Sequence, residues 1–129
     1  MSEPTLALQG AVYTALHGNT TAGANVFDRL TPNVFPRIQI GQGMKVRDDS
    51  SCVDGWHVYF QIDVYSNADG YREAKLIAGD IERLLHKQDF AVPNYNVVDV
   101  WTEGAVFSRE ADGVISRARI DVEATMEAA

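Results

Sequence analysis

The sequence predicts an α+β fold: a single antiparallel or mixed sheet with two helices packed on one of its faces, in the order α-β-β-β-α-β-β. Residues 56–65 alternate between apolar and polar side chains and lead into a run of helical period that begins at Tyr71. Further along, the valine-rich segments 97–107 and 114–126 flank the turn residues 110–113, which is typical of a β-hairpin. Together these units predict a sheet that helices cover on one side.

The strand at 56–65 supplies the largest apolar face of the predicted core. Its even-numbered positions are all apolar, as expected for a half-buried antiparallel strand. They are Trp56, Val58, Phe60, Ile62 and Val64. Burial of five such side chains contributes on the order of 10 kcal/mol before the lost conformational entropy is subtracted. In the following helix, apolar residues recur at steps of three and four, so their stripe must lie on the sheet. They are Ala74, Ile77, Ala78, Ile81, Leu84 and Leu85.

The N-terminal third of the chain predicts one helix and two short strands. Pro4 suits a first helical turn, and the helix is expected to end near His17. Its apolar face comprises Leu8, Val12, Ala15 and Leu16. Residues 26–30 predict a short strand. Pro36 permits a second strand at 37–40, which lies at an edge or begins at the proline because proline donates no hydrogen bond to a ladder.

Residues 41–55 are predicted to form a long, charged and mobile loop. The segment contains three glycines and few apolar residues. Loops of this length inside a compact domain are usually functional or disordered, so we expect the segment to order against a partner. A solvated connection without a function accounts for the composition as well.

Composition excludes several classes of partner. The 129 residues suffice for one domain with one core, and eighteen acidic against eleven basic residues give a net charge of −7. This charge repels phosphate backbones and anionic lipids, so we expect neither a membrane nor a sequence-specific nucleic acid as a direct partner. An N-terminus without export features and a single cysteine, Cys52, favour synthesis in the cytoplasm.

The sequence predicts no catalytic, cofactor-binding or metal-binding residue. Cys52, Asp54 and His57 lie within six residues, but a single loop cysteine near a strand histidine is more often incidental than a thiol site. Asp48, Asp49 and Asp54 lack the alternating ligand positions and the closing glutamate of a calcium loop. We therefore predict that the protein is not an enzyme.

The succession of these elements resembles the phage tail completion or tail terminator family, which occurs in long-tailed phages, prophages and gene transfer agents. The resemblance extends from Leu6 to about Thr125, and its specificity lies in the order and spacing of short motifs. The matching motifs are Val26-Phe27-Asp28-Arg29-Leu30, Phe35-Pro36, Ile38-Gln39-Ile40-Gly41, Ile62-Asp63-Val64-Tyr65-Ser66, Gly70, Glu73-Ala74, Ile77-Ala78, Ile81 and Asp112-Gly113.

The resemblance implies a subunit of a ring, typically a hexamer, that caps the head-proximal end of the tail tube and joins it to the head connector. The implied partners are further copies of the chain, the major tail tube protein and the head completion or connector protein, with DNA passing through the ring. The implied location is the tail of a virion or phage-like particle, and the host cytoplasm before assembly. A ring needs a heterologous interface, in which one surface meets a different surface of the neighbouring copy.

Two groups of residues are candidates for such an interface. Tyr59, Asp63 and Tyr65 lie on the predicted solvent face of strand 56–65, and aromatic side chains commonly anchor interfaces. The second group lies in the predicted loop and comprises Lys45, Arg47, Asp48 and Asp49. Ordinary surface tyrosines, or cover from the first helix, account for the first group equally well.

A second interpretation of the same elements is a dimeric α+β ligand-binding domain or a small cofactor-free enzyme built around an apolar pocket. Polar groups that converge inside the layer between sheet and helices would support this interpretation. A solid core with polar groups facing outward would instead favour the assembly protein.

Overall fold

A computed structural model describes residues 3–29, 31–50 and 53–129. Within these residues the chain forms two helices and a six-stranded sheet. The helices are α1 (Pro4–Leu16) and α2 (Arg72–Leu85). The strands are β1 (Val26–Phe27), β2 (Arg37–Arg47), β3 (Gly55–Ser66), β4 (Ala91–Val92), β5 (Tyr95–Arg109) and β6 (Ser116–Ala128). The predicted α+β fold and the order of its long elements are confirmed, with β4 as an additional two-residue strand.

The sheet is mixed, with the strand order β1-β2-β3-β6-β5-β4. β1 runs parallel to β2, and every other neighbouring pair is antiparallel. The pairing of β3 with β6 is continuous from Gly55 opposite Glu127 to Ser66 opposite Ser116. β-bulges interrupt the pairing of β2 with β3 and of β5 with β6. The central pair of strands therefore sets the register of the sheet.

One face of the sheet packs against the helices and forms the core. The register of β3 and β6 places apolar side chains directly opposite each other, for example Ile62 opposite Ile120 and Val58 opposite Ala124. The helices bury the stripes that the sequence predicts, and these stripes share one cluster with the sheet. Their buried residues are Leu8, Val12 and Leu16 on α1, and Ala74, Ile77, Ala78, Ile81 and Leu85 on α2. The half-buried residues at its margin include Ala15, Phe60 and Leu84.

α1 begins at Pro4, with Glu3 as its N-cap. The Glu3 carboxylate accepts the Leu6 backbone N–H at 3.0 Å and also contacts the Thr5 hydroxyl and the Lys45 ammonium. Desolvation raises the pKa of Glu3, but the hydrogen bonds from Lys45, Thr5 and Leu6 together outweigh it and lower the pKa to about 2. Glu3 thereby links the start of α1 to strand β2.

α2 begins at Arg72, with Tyr71 at the N-cap position and no side-chain cap. The Ser66 hydroxyl is buried and donates instead to the carboxylate of Glu73, at 2.7 Å. Glu73 lies in the first turn of α2, where a negative charge interacts favourably with the helix dipole. The junction between β3 and α2 is therefore fixed by a hydrogen bond to the first turn.

The prediction of a loop at 41–55 is wrong over its first half. β2 continues to Arg47 and remains paired with β3. The connection between the two strands is thus shortened to 48–54, and Ser51 and Cys52 within it lie outside the described residues. Glycine and charge content suggested mobility because both are common in loops, but neither prevents strand pairing at the exposed end of a sheet.

Gly43 is required by the close approach of β2 to β3. It follows a bulge that begins at Ile40. A Cβ atom at Gly43 would lie 2.4 Å from the carbonyl oxygen of Tyr59, a distance that no side chain tolerates without movement of the backbone. The glycine therefore serves strand pairing, not flexibility.

Further outcomes concern the strand boundaries. β1 occupies Val26–Phe27 and does not include Asp28 or Arg29, and Leu30 of the predicted strand lies outside the described residues. β2 begins directly after Pro36, which is one of the two predicted alternatives, and it lies between β1 and β3 at its start. The predicted second arm of the hairpin, 114–126, begins too early, because Val114 lies in the turn before β6 and is 58% exposed.

Replacing Ile81 with alanine should lower the free energy of unfolding by about 2–5 kcal/mol, because the side chain is fully buried in the core and its loss leaves a cavity. Urea unfolding followed by circular dichroism measures this loss. Leu76→Ala is the matched control on the same helix. Leu76 is 47% exposed, so its truncation should cost less than about 1 kcal/mol. Equal losses for the two variants would show that the buried stripe of α2 is misassigned.

Candidate assembly surface

The second face of the sheet is lined by polar and aromatic side chains, and neither helix of the described residues packs on it. On β3 these side chains alternate with the core residues, and the paired positions of β6 continue the same surface. We call this surface the open face. Its central residues are His57, Tyr59, Gln61, Asp63 and Tyr65 on β3 and Arg117, Arg119, Asp121, Glu123 and Thr125 on β6.

The Asp63 carboxylate is the centre of a polar network at one end of the open face. It accepts hydrogen bonds from Arg117 Nε at 3.0 Å, from Arg117 Nη2 at 2.9 Å and from Gln61 Nε2 at 3.0 Å. The Asp63 side chain is 10% exposed and that of Arg117 is 32% exposed. Desolvation lowers the pKa of Arg117, but the hydrogen bonds and charge of Asp63 outweigh it, and the net shift is upward. The two residues thus form a fixed, partly buried ion pair.

Arg37 brings a second cation to this end of the open face. Its side chain is buried, donating from Nε to Gln39 Oε1 at 2.8 Å and from Nη1 to the Val34 carbonyl at 3.2 Å. The guanidinium carbon lies 4.3 Å from the centroid of the Tyr65 ring and 5.0 Å from that of Phe35, within cation–π range. Desolvation first, then the charge of Asp63, raises the pKa of Tyr65. Tyr65 is therefore packed into the network.

The other end of the open face is acidic. Glu103, beside the bulge of β5, lies next to Glu123 on β6. The side chain of Glu123, followed by desolvation and the charges of Glu123 and Asp121, raises the pKa of Glu103. Tyr59 lies against the same carboxylate, and desolvation together with the charge of Glu123 raises its pKa. This end therefore presents negative charge at neutral pH.

The seven predicted interface residues fall into two separate groups. Tyr59, Asp63 and Tyr65 lie on the open face, where the period of two placed them. Lys45 and Arg47 project from the helix-covered face, because each is the cross-strand partner of a core residue of β3. The structure therefore does not bring all seven residues into one patch.

Asp48 and Asp49 lie in the connection after β2, where the charged side chains pair with one another. Arg47 Nη2 is 2.9 Å from an Asp49 carboxylate oxygen and 3.0 Å from one of Asp54. Asp48 Oδ2 is 2.9 Å from His57 Nε2. The end of the β2–β3 hairpin is thus held by its own charges.

Several residues of the surface were not among the predicted candidates. The alternation along β6 predicts that Arg117 and Glu123 face outward, but it does not reveal their partners. Arg37 and Glu103 belong to β2 and β5, and their roles depend on which strands lie side by side. Strand order comes from tertiary pairing, so no local pattern in the sequence identifies these contacts.

The described residues offer little basis for chemistry. They contain no group of three or more histidine, cysteine, aspartate or glutamate side chains placed to bind a metal ion. His57 pairs with Asp48 and contacts Thr125, and its candidate partner Cys52 lies outside the described residues. No helix within the described ranges has the length and apolarity needed to cross a bilayer.

A cavity of about 300 Å³ opens between α1 and the β2–β3 hairpin. Most of its lining is apolar or backbone, including Leu8, Ile40 and Phe60. Lys45 and Tyr59 are the ionisable residues among the lining side chains, and Lys45 is already paired with Glu3. The convergent polar groups that would favour a ligand-binding domain or an enzyme are therefore not found in this cavity.

Replacing Asp63 with asparagine should lower the free energy of unfolding by about 1.5–3 kcal/mol, because Arg117 would remain partly buried without its counter-charge. Asp121→Asn is the matched control on the same face. Its nearest cation, Arg119, is 3.9 Å away and both side chains are about half exposed, so the loss should be below about 1 kcal/mol. Urea titrations of both variants give the two values, and a loss for Asp63→Asn no larger than for the control would contradict the network.

Glu103→Gln should raise the melting temperature at pH 7 by about 1–4 °C, because the amide removes a like charge beside Glu123 and Asp121. The pKa of Glu103 is higher in the folded than in the unfolded chain. The wild type therefore gains stability as the pH falls from the folded-state pKa to the unfolded-state pKa. The charge of His86 opposes this shift weakly. The advantage of the variant should therefore shrink between pH 7 and pH 4.

Melting curves at intervals from pH 4 to pH 8 measure this difference. Glu82→Gln, at an exposed position of α2, is the control and should melt with the wild type throughout. A pH-independent difference for Glu103→Gln, or a lower melting temperature at pH 7, would contradict the raised pKa of Glu103.

Comparison with known proteins identifies the fold and the family. A family model described as "Tail completion protein gp17" matches residues 7–127. A solved chain from the virion of a native gene transfer agent particle superposes with a TM-score of 0.85 at 23% identity, covering 95% of this chain and 96% of its own. A second solved chain gives a TM-score of 0.62 at 15% identity, with coverage of 100% and 96%. No curated protein matches at a significant level.

At these identities the two solved structures show a shared fold. The family match is the stronger statement, because it extends over nearly the whole chain and includes both helices and all the long strands. The open face, with its fixed polar network, agrees with a protein that acts through its surface. The chain belongs to the family of tail completion proteins gp17, and its role is a structural one in phage tail assembly.

Proposed function

We propose that this protein forms a ring, with six copies as the expected number, at the head-proximal end of a phage-like tail tube. In this role it ends growth of the tube and joins the tube to the head connector. The observation that carries the proposal is the family match over residues 7–127. The fold shared with a chain of a gene transfer agent virion supports it. The protein then works by assembly and not by catalysis.

The proposed partners are further copies of this chain, the major tail tube protein and the head completion or connector protein. The proposed location is the tail of a virion or phage-like particle, reached from the host cytoplasm, with DNA passing through the ring. The open face supports this role, because its side chains are already held by hydrogen bonds and ring contacts. A surface ordered before docking loses little conformational entropy when a partner binds.

Tyr59, Asp63 and Tyr65 remain proposed contact residues on the open face, and Lys45, Arg47, Asp48 and Asp49 remain proposed contacts at the hairpin. Among the first group, Tyr59 is the best probe. Tyr65 and Asp63 also hold the polar network, so changing them would alter the fold of the surface as well as its contacts.

Deleting the gene for this chain should produce particles whose tails lack a defined length or fail to join heads, because the proposed ring both ends the tube and binds the connector. Electron microscopy of purified particles measures tail length and head attachment. Complementation with the wild-type chain should restore both. Joined tails of normal length in the deletion strain would refute the proposed function.

Complementation with Tyr59→Ser should reduce the yield of joined particles on the order of tenfold, which corresponds to about 1.4 kcal/mol of binding free energy. The control is Tyr13→Ser on α1, which removes a tyrosine that is 42% exposed on the helical side. Both purified variants should keep a cooperative melting transition. Equal particle yields for the two variants would remove Tyr59 from the interface.

A further inference from the structure

The long strands β2 and β5 each have a stretch of edge without a backbone partner among the described residues. β1 pairs with β2 only at Ile38 and Gln39, so the edge of β2 is bare over 41–47. β4 pairs with β5 only at Tyr95 and Asn96, which leaves much of the other edge uncovered. We call the bare part of β2 the first edge.

The end of α2 covers a further part of the β5 edge. The Lys87 backbone N–H donates to the Val100 carbonyl at 2.8 Å, and His86 Nδ1 accepts the Thr102 backbone N–H at 3.0 Å. Beyond Thr102, the stretch 103–109 has no such partner in the described chain. We call this stretch the second edge. It lies at the corner of the sheet diagonally opposite the first edge.

We infer that the first edge of one copy pairs with the second edge of the next, and that this strand pairing closes the ring. The inference rests on the proposed function for the existence of a ring and identifies the surfaces that form it. In stable proteins the edge strands of a sheet are usually protected from pairing with other chains or are paired with a partner. Addition of a strand to an open edge is a common mode of association. A contact between two different edges is also heterologous, as a ring requires.

The charges of the two edges do not oppose this pairing. Lys45 and Arg47 on the first edge already pair with acidic side chains of the same chain. The second edge carries one acidic and one basic residue, Glu103 and Arg109. Pairing of the two edges therefore brings no group of unpaired like charges together.

Exposed apolar side chains lie along both edges. Met44 and Val46 on the first edge are 59% and 48% exposed, and Val106 on the second is 55% exposed. All three lie on the open-face side, because their partners in the sheet belong to that face. Pairing of the edges would set these side chains across from each other as cross-strand neighbours, which is the usual source of sheet stability.

The direction of the strands agrees with this contact. β2, β3, β6 and β5 alternate in direction, so β2 and β5 run oppositely within one chain. Rotation about a ring axis preserves strand direction along that axis. β2 of one copy and β5 of the next would therefore meet as an antiparallel pair, the more stable arrangement per residue.

The diagonal placement of the two edges determines how far the strands tilt from the axis of a closed ring. Through the register, Met44 at the middle of the first edge is level with Glu123, and Val106 at the middle of the second edge is level with Arg119. An offset of about four residues is roughly 13 Å along the strands, and four strands span roughly 19 Å across the sheet. A planar ring then tilts the strands by roughly 35° from its axis, as in closed barrels.

The backbone groups that would form the contact follow from the ladder. The Asp48 N–H donates to β3, so the N–H groups of Lys45 and Arg47 point away from β3 toward the first edge. The Glu110 N–H donates toward β6, and by the same alternation the Ala105 N–H points toward the second edge. Lys45 and Ala105 also lie on the same face of the sheet, because each is the cross-strand partner of a core residue in the neighbouring strand.

A cysteine pair tests the contact. Lys45→Cys and Ala105→Cys are combined in a Cys52→Ser chain and treated with a bismaleimide that tolerates a register slip of two residues, about 7 Å. Within one chain the two sites are roughly 19 Å apart, beyond the reach of that reagent. Purified particles and concentrated protein should both give a ladder of covalent multimers on denaturing gels. Each single-cysteine chain is the control and should give at most a dimer.

Proline substitution tests the backbone contact separately. Lys45→Pro removes an outward N–H but keeps the ladder with β3, whereas Lys45→Ala removes the side chain and keeps the N–H. Lys45→Pro should reduce the yield of joined particles at least about tenfold, and Lys45→Ala less than about threefold. The melting temperatures of the two purified chains show whether either change affects the monomer.

The outcomes separate this inference from the proposed function. Particles of normal appearance in which the cysteine pair stays uncrosslinked, or in which Lys45→Pro assembles like the wild type, overturn the strand pairing and leave the tail role intact. Equal losses for Lys45→Ala and Lys45→Pro assign the effect to the side chain and overturn the pairing as well. Normal tails in the deletion strain contradict the proposed function, and crosslinking of the concentrated protein then tests the strand pairing by itself.

Discussion

The uninterrupted pairing of β3 with β6 is the constraint on which the rest of this structure depends. A slip of one residue in that ladder would turn the core side chains of one strand to the other face of the sheet. With β3 displaced, for example, Ile62 would enter solvent and Asp63 would come against the helices. The cost of burying that charge and exposing the core residues fixes the register, and the register in turn decides which side of the sheet the helices cover.

The outer strands carry the irregular features, and these features are compatible with a surface role. Bulges bend β2 and β5 without disturbing the central ladder. Within the described residues, β1, β4 and the end of α2 each cover only part of an edge, and the two stretches left bare lie at opposite corners of the sheet. A fold of this kind separates the residues that keep it folded from those available to neighbouring subunits, which suits a member of a tail assembly family.

The period of two in β3 placed Tyr59, Asp63 and Tyr65 correctly on the face away from the core, because alternation is a local property of an extended chain. The contacts of these side chains, in contrast, come mainly from other strands. Tyr65 packs under Arg37 from β2, and Tyr59 lies beside carboxylates on β5 and β6. Those neighbours depend on strand order, which residues distant in the sequence establish together. The same limitation explains the predicted loop at 41–55, since only its pairing with β3 distinguishes a glycine-rich strand from a loop.

The sequence by itself determined the α+β class, the two helices with their buried stripes, the central strand and the C-terminal hairpin, because each depends on a periodicity within one segment. It also carried the order of motifs that resembles the tail completion family. Tertiary structure alone decided that β2 extends to Arg47, that Arg117 pairs with Asp63, and that the hairpin charges pair among themselves. These contacts join segments far apart in the chain or require a close approach of two backbones, and such constraints leave no repeating pattern in a single segment.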